Sequence, residues 1–556
     1  MNTNLFSSNS RGKSVPATNA VNEAGGVAYA RTPEMELAQL AVTGCFGNTF
    51  YTKAEDQLKR ILDLANKCSP EWVAKVAVYS RQQGLLKDMP AVLCAILATK
   101  NTGLLKAVWG RCINDVKMLR NFVQVIRSGV TGRKSFGNAP RNLIRKYFDS
   151  RTAEQIFRAS LGSSPSIGDI IKMIHPKPKD EATSMTYAYL TGKEVAARGV
   201  LPQVLQDYLA FREDQTRPIP DLNFQFLASL PLTKAQWTQL CRTSSWTTLR
   251  MNLNTFQRHG VLEDAKVVKE VIARLTNEDE IAKAKPMPWQ LYAAYVNMSD
   301  DIPQGIRLAL ARAADLSLGN IPELPDNLVI GVDTSGSMRM SITGRRGAPS
   351  KIKCVDVAAL FASAMVVKCP TARVIPFDTS YHQGFKAYGS IVDTTRALCQ
   401  FGGGGTHCHI PIQESIGKKV DAIVIISDNE SWGITNGRSS MSMQYWREVQ
   451  KTNPNAKLVC IDITPSTTTQ TVDEKNVMNI GGFSDTVFDV LGKFLNGSAK
   501  TWADSINAIN RETSAMSPWL AVVNAVLAAV TSSTLAWSVL TLPMWYVMSS
   551  TISVRS

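Results

Sequence analysis

No catalytic constellation stands out in this sequence. Its five histidines, His175, His259, His382, His407 and His409, form no Ser/His/Asp grouping, and no pair of carboxylates is set out for general acid–base work. A second carboxylate cluster, able to hold another metal ~3.5–4 Å from a first, is missing too, which argues against a two-metal nuclease. An enzyme is therefore not expected. Ten cysteines occur without a single CxxC pair. Most lie in apolar runs, such as Cys94 in AVLCAILA and Cys460 in LVCIDI, the pattern of packed, reduced thiols. The amino terminus is polar and Ser/Asn-rich and does not read as a secretory signal, so a cytoplasmic protein is expected. Exact internal repeats are not visible.

What is present is length and unevenly placed positive charge. A chain of 556 residues exceeds one core, so two or more domains are expected. The formal net charge is +15, but residues 1–323 carry 41 basic and 29 acidic side chains while 324–556 carry 20 and 17. Residues 101–200 alone hold 17 basic and 7 acidic side chains, a concentration that suits a polyanionic partner.

Residues 1–20 are small and polar and are expected to be mobile. From about Glu34 apolar residues recur at three and four, as in AEDQLKRILDLANKC (54–68), EWVAKVAVYSRQQG (71–84) and EDAKVVKEVIARL (263–275). Short breaks separate these runs. The rhythm predicts antiparallel helix pairs stacked as a HEAT-like solenoid. A Pro-rich junction, LGNIPELPDN (318–327), ends it. Strand and helix text then alternate from Leu328 to 495, which predicts a parallel sheet with helices on both faces.

The first strand of that part reads LVIGVDTSGSM (328–338). Its apolar run ends on Asp333, followed by Ser335 and Ser337 at alternate positions. Open α/β sheets bind ligands beyond the carboxyl ends of their strands. Three hard oxygens on one tight turn suit Mg2+ or another divalent cation. Thr406, after Gly402–Gly405, and Asp428, after the buried-strand run Ala422–Ile426, are placed to complete the shell. His407, Cys408 and His409 are of soft-ligand type, but alternating neighbours on one short loop cannot all face one zinc ion, and no second cluster supplies partners.

These three stretches resemble the metal-ion-dependent adhesion site of von Willebrand factor A domains. Carried over residue by residue, the resemblance makes Asp333, Ser335, Ser337, Thr406 and Asp428 the metal ligands, at a site that recruits a partner's acidic group and cuts nothing. An acidic residue commonly follows the threonine in that family; here it is His407. Upstream, the phrases GGVAYARTPEMELAQLAVTGCFGNTFYTKAEDQL, SFGNAPRNLIRKYF, IIKMIHPKP and SWTTLRMNLNTFQRHG occur in order and resemble the TROVE module of the Ro autoantigen family. That resemblance implies a helical-repeat ring at 21–323 whose ends are bridged by an A domain at 324–505. It further implies a protein that holds small noncoding Y-like RNA on a basic outer face and single-stranded ends of misfolded RNA in the hole. RNA quality control, a monomeric state and an exoribonuclease or other protein partner go with it.

Arg141, Arg145 and Lys146 share a helix face, and Arg133 and Lys134 precede them, so the five are candidate phosphate contacts. Phe136 and Tyr147 offer either stacking surfaces or core packing. His175 matches a family histidine near the Y RNA surface, with Arg158 and Lys172 as basic company. Arg250, Arg258 and His259 lie in another family phrase. The alternative reading is a protein-adhesion scaffold in which RNA binding is incidental. The tail, 513–556, has no charged residue before Arg555 and contains WLAVVNAVLAAVTSSTLAWSVL (519–540), long enough to span a bilayer; a packed helical extension is the other reading of it.

Overall fold

The computed structural model describes residues 14–43, 54–162, 164–195, 198–320, 323–342, 344–345, 348–349, 351–431, 439–464, 466–484, 486–497 and 501–509. The 513–556 tail and its 519–540 segment lie outside them. Among the described residues no helix is long and apolar enough to cross a membrane.

The amino-terminal part is helical from Pro33–Thr43 to Gln304–Leu316. Local chemistry sets the boundaries. Ser69 caps Pro70–Gln82 by accepting the Trp72 amide, with Pro70 in the first turn where its missing N–H costs nothing. The run 104–129 resolves into Thr102–Cys112 and Val116–Ser128. Asp115 caps the second helix, and Gly129 ends it at φ +82°. Apolar faces meet neighbouring helices, burying Leu93, Phe122, Phe148, Phe157 and Phe256 in one continuous core. Short helices at Ile167–Ile174, Glu181–Leu190 and Glu278–Ala284 were too brief for periodicity to show.

Past Leu328 the expected alternation is present. Five parallel strands stand in the order Val477–Gly481, Lys457–Asp462, Ala422–Ser427, Leu328–Asp333, Arg373–Phe377. Leu328–Asp333 therefore lies between the strand that follows it and one reached by a crossover, the topological switch point at which such sheets bind ligands.

Both ends of the helical array bond to this A domain. At the first end Gln39 Nε2 donates to Thr464 O at 3.2 Å, and Trp502 Nε1 donates to Tyr79 Oη at 2.9 Å. At the last end Tyr292 Oη donates to Asp356 Oδ1 at 3.1 Å, and the Ile391 amide donates to Asp315 Oδ1 at 2.9 Å.

The segment expected to be mobile, 1–20, is described from residue 14, and there it is tied down. Tyr29 Oη donates to Pro16 O at 2.9 Å, and Ala20–Val21 pairs antiparallel with Val27–Ala30. The second of these strands pairs in turn with Thr468–Thr469, Tyr29 opposite Thr469. The segment is thus a strap across the A domain.

Candidate functional site

Four of the five oxygen-bearing residues expected at the metal site, Asp333, Ser335, Ser337 and Asp428, come together, and Thr406 lies buried on the glycine loop beside them. Asp333 ends one central strand, and Asp428 follows its neighbour Ala422–Ser427 directly. Asp333 Oδ1 accepts the Ser335 amide at 2.9 Å, which turns the chain and brings the Ser335 and Ser337 hydroxyls to 3.2 Å from one another. The glycine loop closes over them: the Gly336 amide donates to Gly404 O at 2.8 Å and the Gly403 amide to Thr334 O at 2.9 Å. A side chain at Gly402 would meet Thr334 O at 2.3 Å, which is why the approach needs glycine. Thr406 follows, buried, its carbonyl accepting the Ser431 hydroxyl at 3.2 Å.

Asp333 and Asp428 are both buried, and no basic side chain is among the groups acting on either. Burial first, and then the Asp428 charge, push the Asp333 carboxyl up to about 7, against hydrogen bonds from Ser427 and Ser335. Burial raises Asp428 as well, against the Ser337 hydroxyl and the Glu430 amide. Two buried, mutually repelling carboxylates beside serine hydroxyls form a hard-oxygen donor set. Magnesium or a similar ion fits that chemistry. Ser427, whose hydroxyl donates to Asp333 Oδ2, was missed by sequence reasoning although it directly precedes Asp428.

The soft-ligand trio diverges. The Cys408 thiol turns inward to the Ser427 hydroxyl at 3.5 Å, His407 stacks on His409, and His409 stacks on Tyr445. Burial and His407 pull the His409 imidazole down to about 4, so it is neutral at physiological pH. Among the described residues no group of three or more His, Cys, Asp or Glu is arranged around a metal position.

The candidate RNA contacts divide. Lys134, Lys146, Lys172 and His175 are exposed, and none of the four has a carboxylate partner within ion-pair distance among the described residues. Arg141 is half-buried on the same helix as Lys146. Arg145 donates to Ile174 O from Nε at 3.3 Å and Nη2 at 3.2 Å, docking its helix against the residue before His175. Arg133 is spent on Ser135 O at 2.8 Å and Ala98 O at 3.0 Å. Arg158 pairs with Glu154 at 2.8 Å and Asp221 at 3.2 Å. Arg250 is buried and stands apart from the others, against Gln290. Phe136 and Tyr147 are core side chains, and Tyr147 carries the Arg151 guanidinium 3.3 Å from its ring centre. His259 stacks on Trp237 with 4.0 Å between ring centres, while Arg258 is exposed.

Comparison with known families finds the Ro60 vWA domain at residues 327–495. The A domain is thus similar to that of the Ro60 family. The whole fold is similar to the crystal structure of the RO (RSR) protein of Deinococcus radiodurans, with a TM-score of 0.58 over 84% of this chain and 100% of that one, at 18% identity. No curated protein matches the sequence. The resemblance drawn from the sequence is borne out in fold: a helical-repeat array joined to an A domain that is similar to the Ro60 vWA domain.

Proposed function

We propose that this is an RNA-binding protein of the Ro kind. It holds a small, Y-like noncoding RNA on the basic face of its helical array and takes single-stranded ends of misfolded RNA into the ring, serving RNA quality control without cleaving its ligand. The observation that carries the reading is the set of exposed cations Lys134, Lys146 and Lys172, none within ion-pair distance of a carboxylate among the described residues, together with His175. Arg145 docks the helix that carries Lys146 against the end of the one that carries Lys172. Phosphate contact of this sort raises affinity without reading sequence, as suits a protein that accepts misfolded RNA.

The buried Asp333–Asp428 pair supports a second, separate task for the A domain. Asp333, Ser335, Ser337, Thr406 and Asp428 would hold a divalent cation, which would supply positive charge to attract an acidic group of a protein partner such as an exoribonuclease. The chain's own residues do the positioning: Ser335, Ser337 and Thr406 fix the loops, and Ser427 orients Asp333. An adhesion scaffold without RNA is the competing reading, favoured by this same donor set.

Titrating a structured RNA with a single-stranded 3′ tail, with magnesium or with chelator, tests both. Salt-sensitive binding that survives chelation and yields no shortened product is expected. Binding no stronger than to unrelated polyanions favours the scaffold, and magnesium-dependent products contradict the non-catalytic reading.

A further inference from the structure

Three described arginines are nine-tenths or more buried: Arg31 at 9%, Arg250 at 7% and Arg447 at 9% exposure. Two of them have carboxylates. Arg31 pairs with Asp462, and Arg447 pairs with Glu474. Arg250 has none. Its Nη1 donates to Gln290 O, its Nε has no partner, and the Trp246 ring lies 6.0 Å from its Cζ. A buried guanidinium without a counter-charge is expensive, and burial alone pulls its pKa down to about 10. A methionine or leucine would fill the same place without that cost.

Arg250 lines a cavity of about 470 Å³ that also takes Lys87, Met251, Trp289, Gln290 and Asn297 into its wall. No Asp or Glu lines it among the described residues. Lys87 is exposed and free of ion pairs among the described residues, on the turn before helix Met89–Lys100, whereas Arg250 belongs to Trp246–Met251. The two cations therefore come from stretches of the helical array far apart in sequence. The remaining described wall is apolar or neutral, and Met251 is 68% exposed there.

We propose that this cavity binds a nucleoside monophosphate group, its phosphate between Arg250 and Lys87 and its flat base against Met251 and Trp289. A volume in the range of small-ligand sites admits a single nucleotide and excludes folded RNA. The group has two sources of the same chemistry, a free mononucleotide or the phosphorylated end of an RNA strand. The site stands on the cavity, not on the basic face that carries the RNA reading, so the two fail separately.

Calorimetry on the full chain tests it with AMP, UMP, adenosine and inorganic phosphate, and with a short single strand ending in either a phosphate or a hydroxyl. AMP or UMP should bind at least about tenfold more tightly than adenosine. Lys87→Ala, a surface change that leaves the fold intact, should weaken mononucleotide binding about tenfold, and Arg250→Met should abolish it. A preference for the phosphate-ended strand that Lys87→Ala removes identifies an RNA end as the source. Mononucleotide binding without that preference identifies the free nucleotide. Equal binding of AMP and adenosine, no binding of either at millimolar concentration, or an unchanged affinity in Lys87→Ala overturns the proposal.

Discussion

Arg31 Nη2 stands 2.9 Å from Asp462 Oδ2, a buried ion pair between the strap that precedes the first helix and the end of an A-domain strand. Burial raises the Asp462 carboxyl far above its ordinary range despite the arginine, so the pair holds the seam in place at a desolvation cost. Asp462→Ala, which strands the guanidinium, should lower unfolding free energy by about 3–5 kcal/mol in denaturant titration. The double change Arg31→Met with Asp462→Leu should recover most of that loss, because an apolar pair of similar volume needs no counter-charge. A double variant as unstable as the single one would show that hydrogen-bond geometry, not charge desolvation, dominates the seam.

The same seam has a steric lock. A Cβ on Gly481 would come within 1.7 Å of Gln39 Oε1, where the first helix lies on the edge strand. Gly481→Ala should destabilise by about 1–3 kcal/mol as an overpacked contact. Adding Gln39→Ala should relieve part of that, although it also gives up the bond to Thr464 O. The measurement is the melting temperature of the two variants side by side.

Magnesium should raise the melting temperature of the wild-type chain, and Asp333→Asn or Asp428→Asn should remove the rise. The pH dependence has a definite sign. Asp333 titrates at about 7 in the folded chain against 3.8 in the reference state, so without metal its burial removes stability as pH climbs through that window. A bound dication reverses this by favouring the carboxylate. The gap between melting temperatures with magnesium and with chelator should therefore widen from pH 6 to pH 8. A gap that narrows would contradict the assignment.

Strap and metal site are joined by two hydrogen bonds. Asn22 Nδ2 donates to Ser431 O, and the Ser431 hydroxyl donates to Thr406 O at 3.2 Å. The Ala24 amide donates to Glu430 Oε2 at 3.3 Å, two residues from Asp428. Asn22→Ala should weaken magnesium binding by roughly fivefold, the worth of one buried hydrogen bond of about 1 kcal/mol. Hydrogen exchange at residues 20–30 should slow when magnesium is added. Exchange indifferent to magnesium would separate the two.

The metal loops were legible in the sequence because their donors are local to strand ends: DTSGS, the glycine run and SD each declare a turn after an apolar strand. The strap was not legible. VAYA is four residues long, and its partner Thr468–Thr469 lies in a distant part of the chain, so only the folded A domain gives it a sheet to join. Charge was legible as an amount and not as a destination. Arg133 and Arg145 satisfy backbone carbonyls, and Arg158 serves two carboxylates. The lysines beside them stay in solvent. Composition cannot separate a guanidinium that staples loops from an ammonium free to meet a phosphate.

That distinction gives the most direct test of the central claim. The dependence of RNA affinity on salt should be measured for the wild-type chain, for Lys134→Ala/Lys146→Ala/Lys172→Ala, and for a control of the same charge loss, Lys234→Ala/Lys283→Ala/Lys451→Ala. The first triple variant should flatten the log–log slope by up to about two to three, as each lysine that meets a phosphate releases one counterion, while the control leaves the slope near the wild-type value. Equal slopes for the wild type and the first variant would contradict an RNA surface on this face of the helical array.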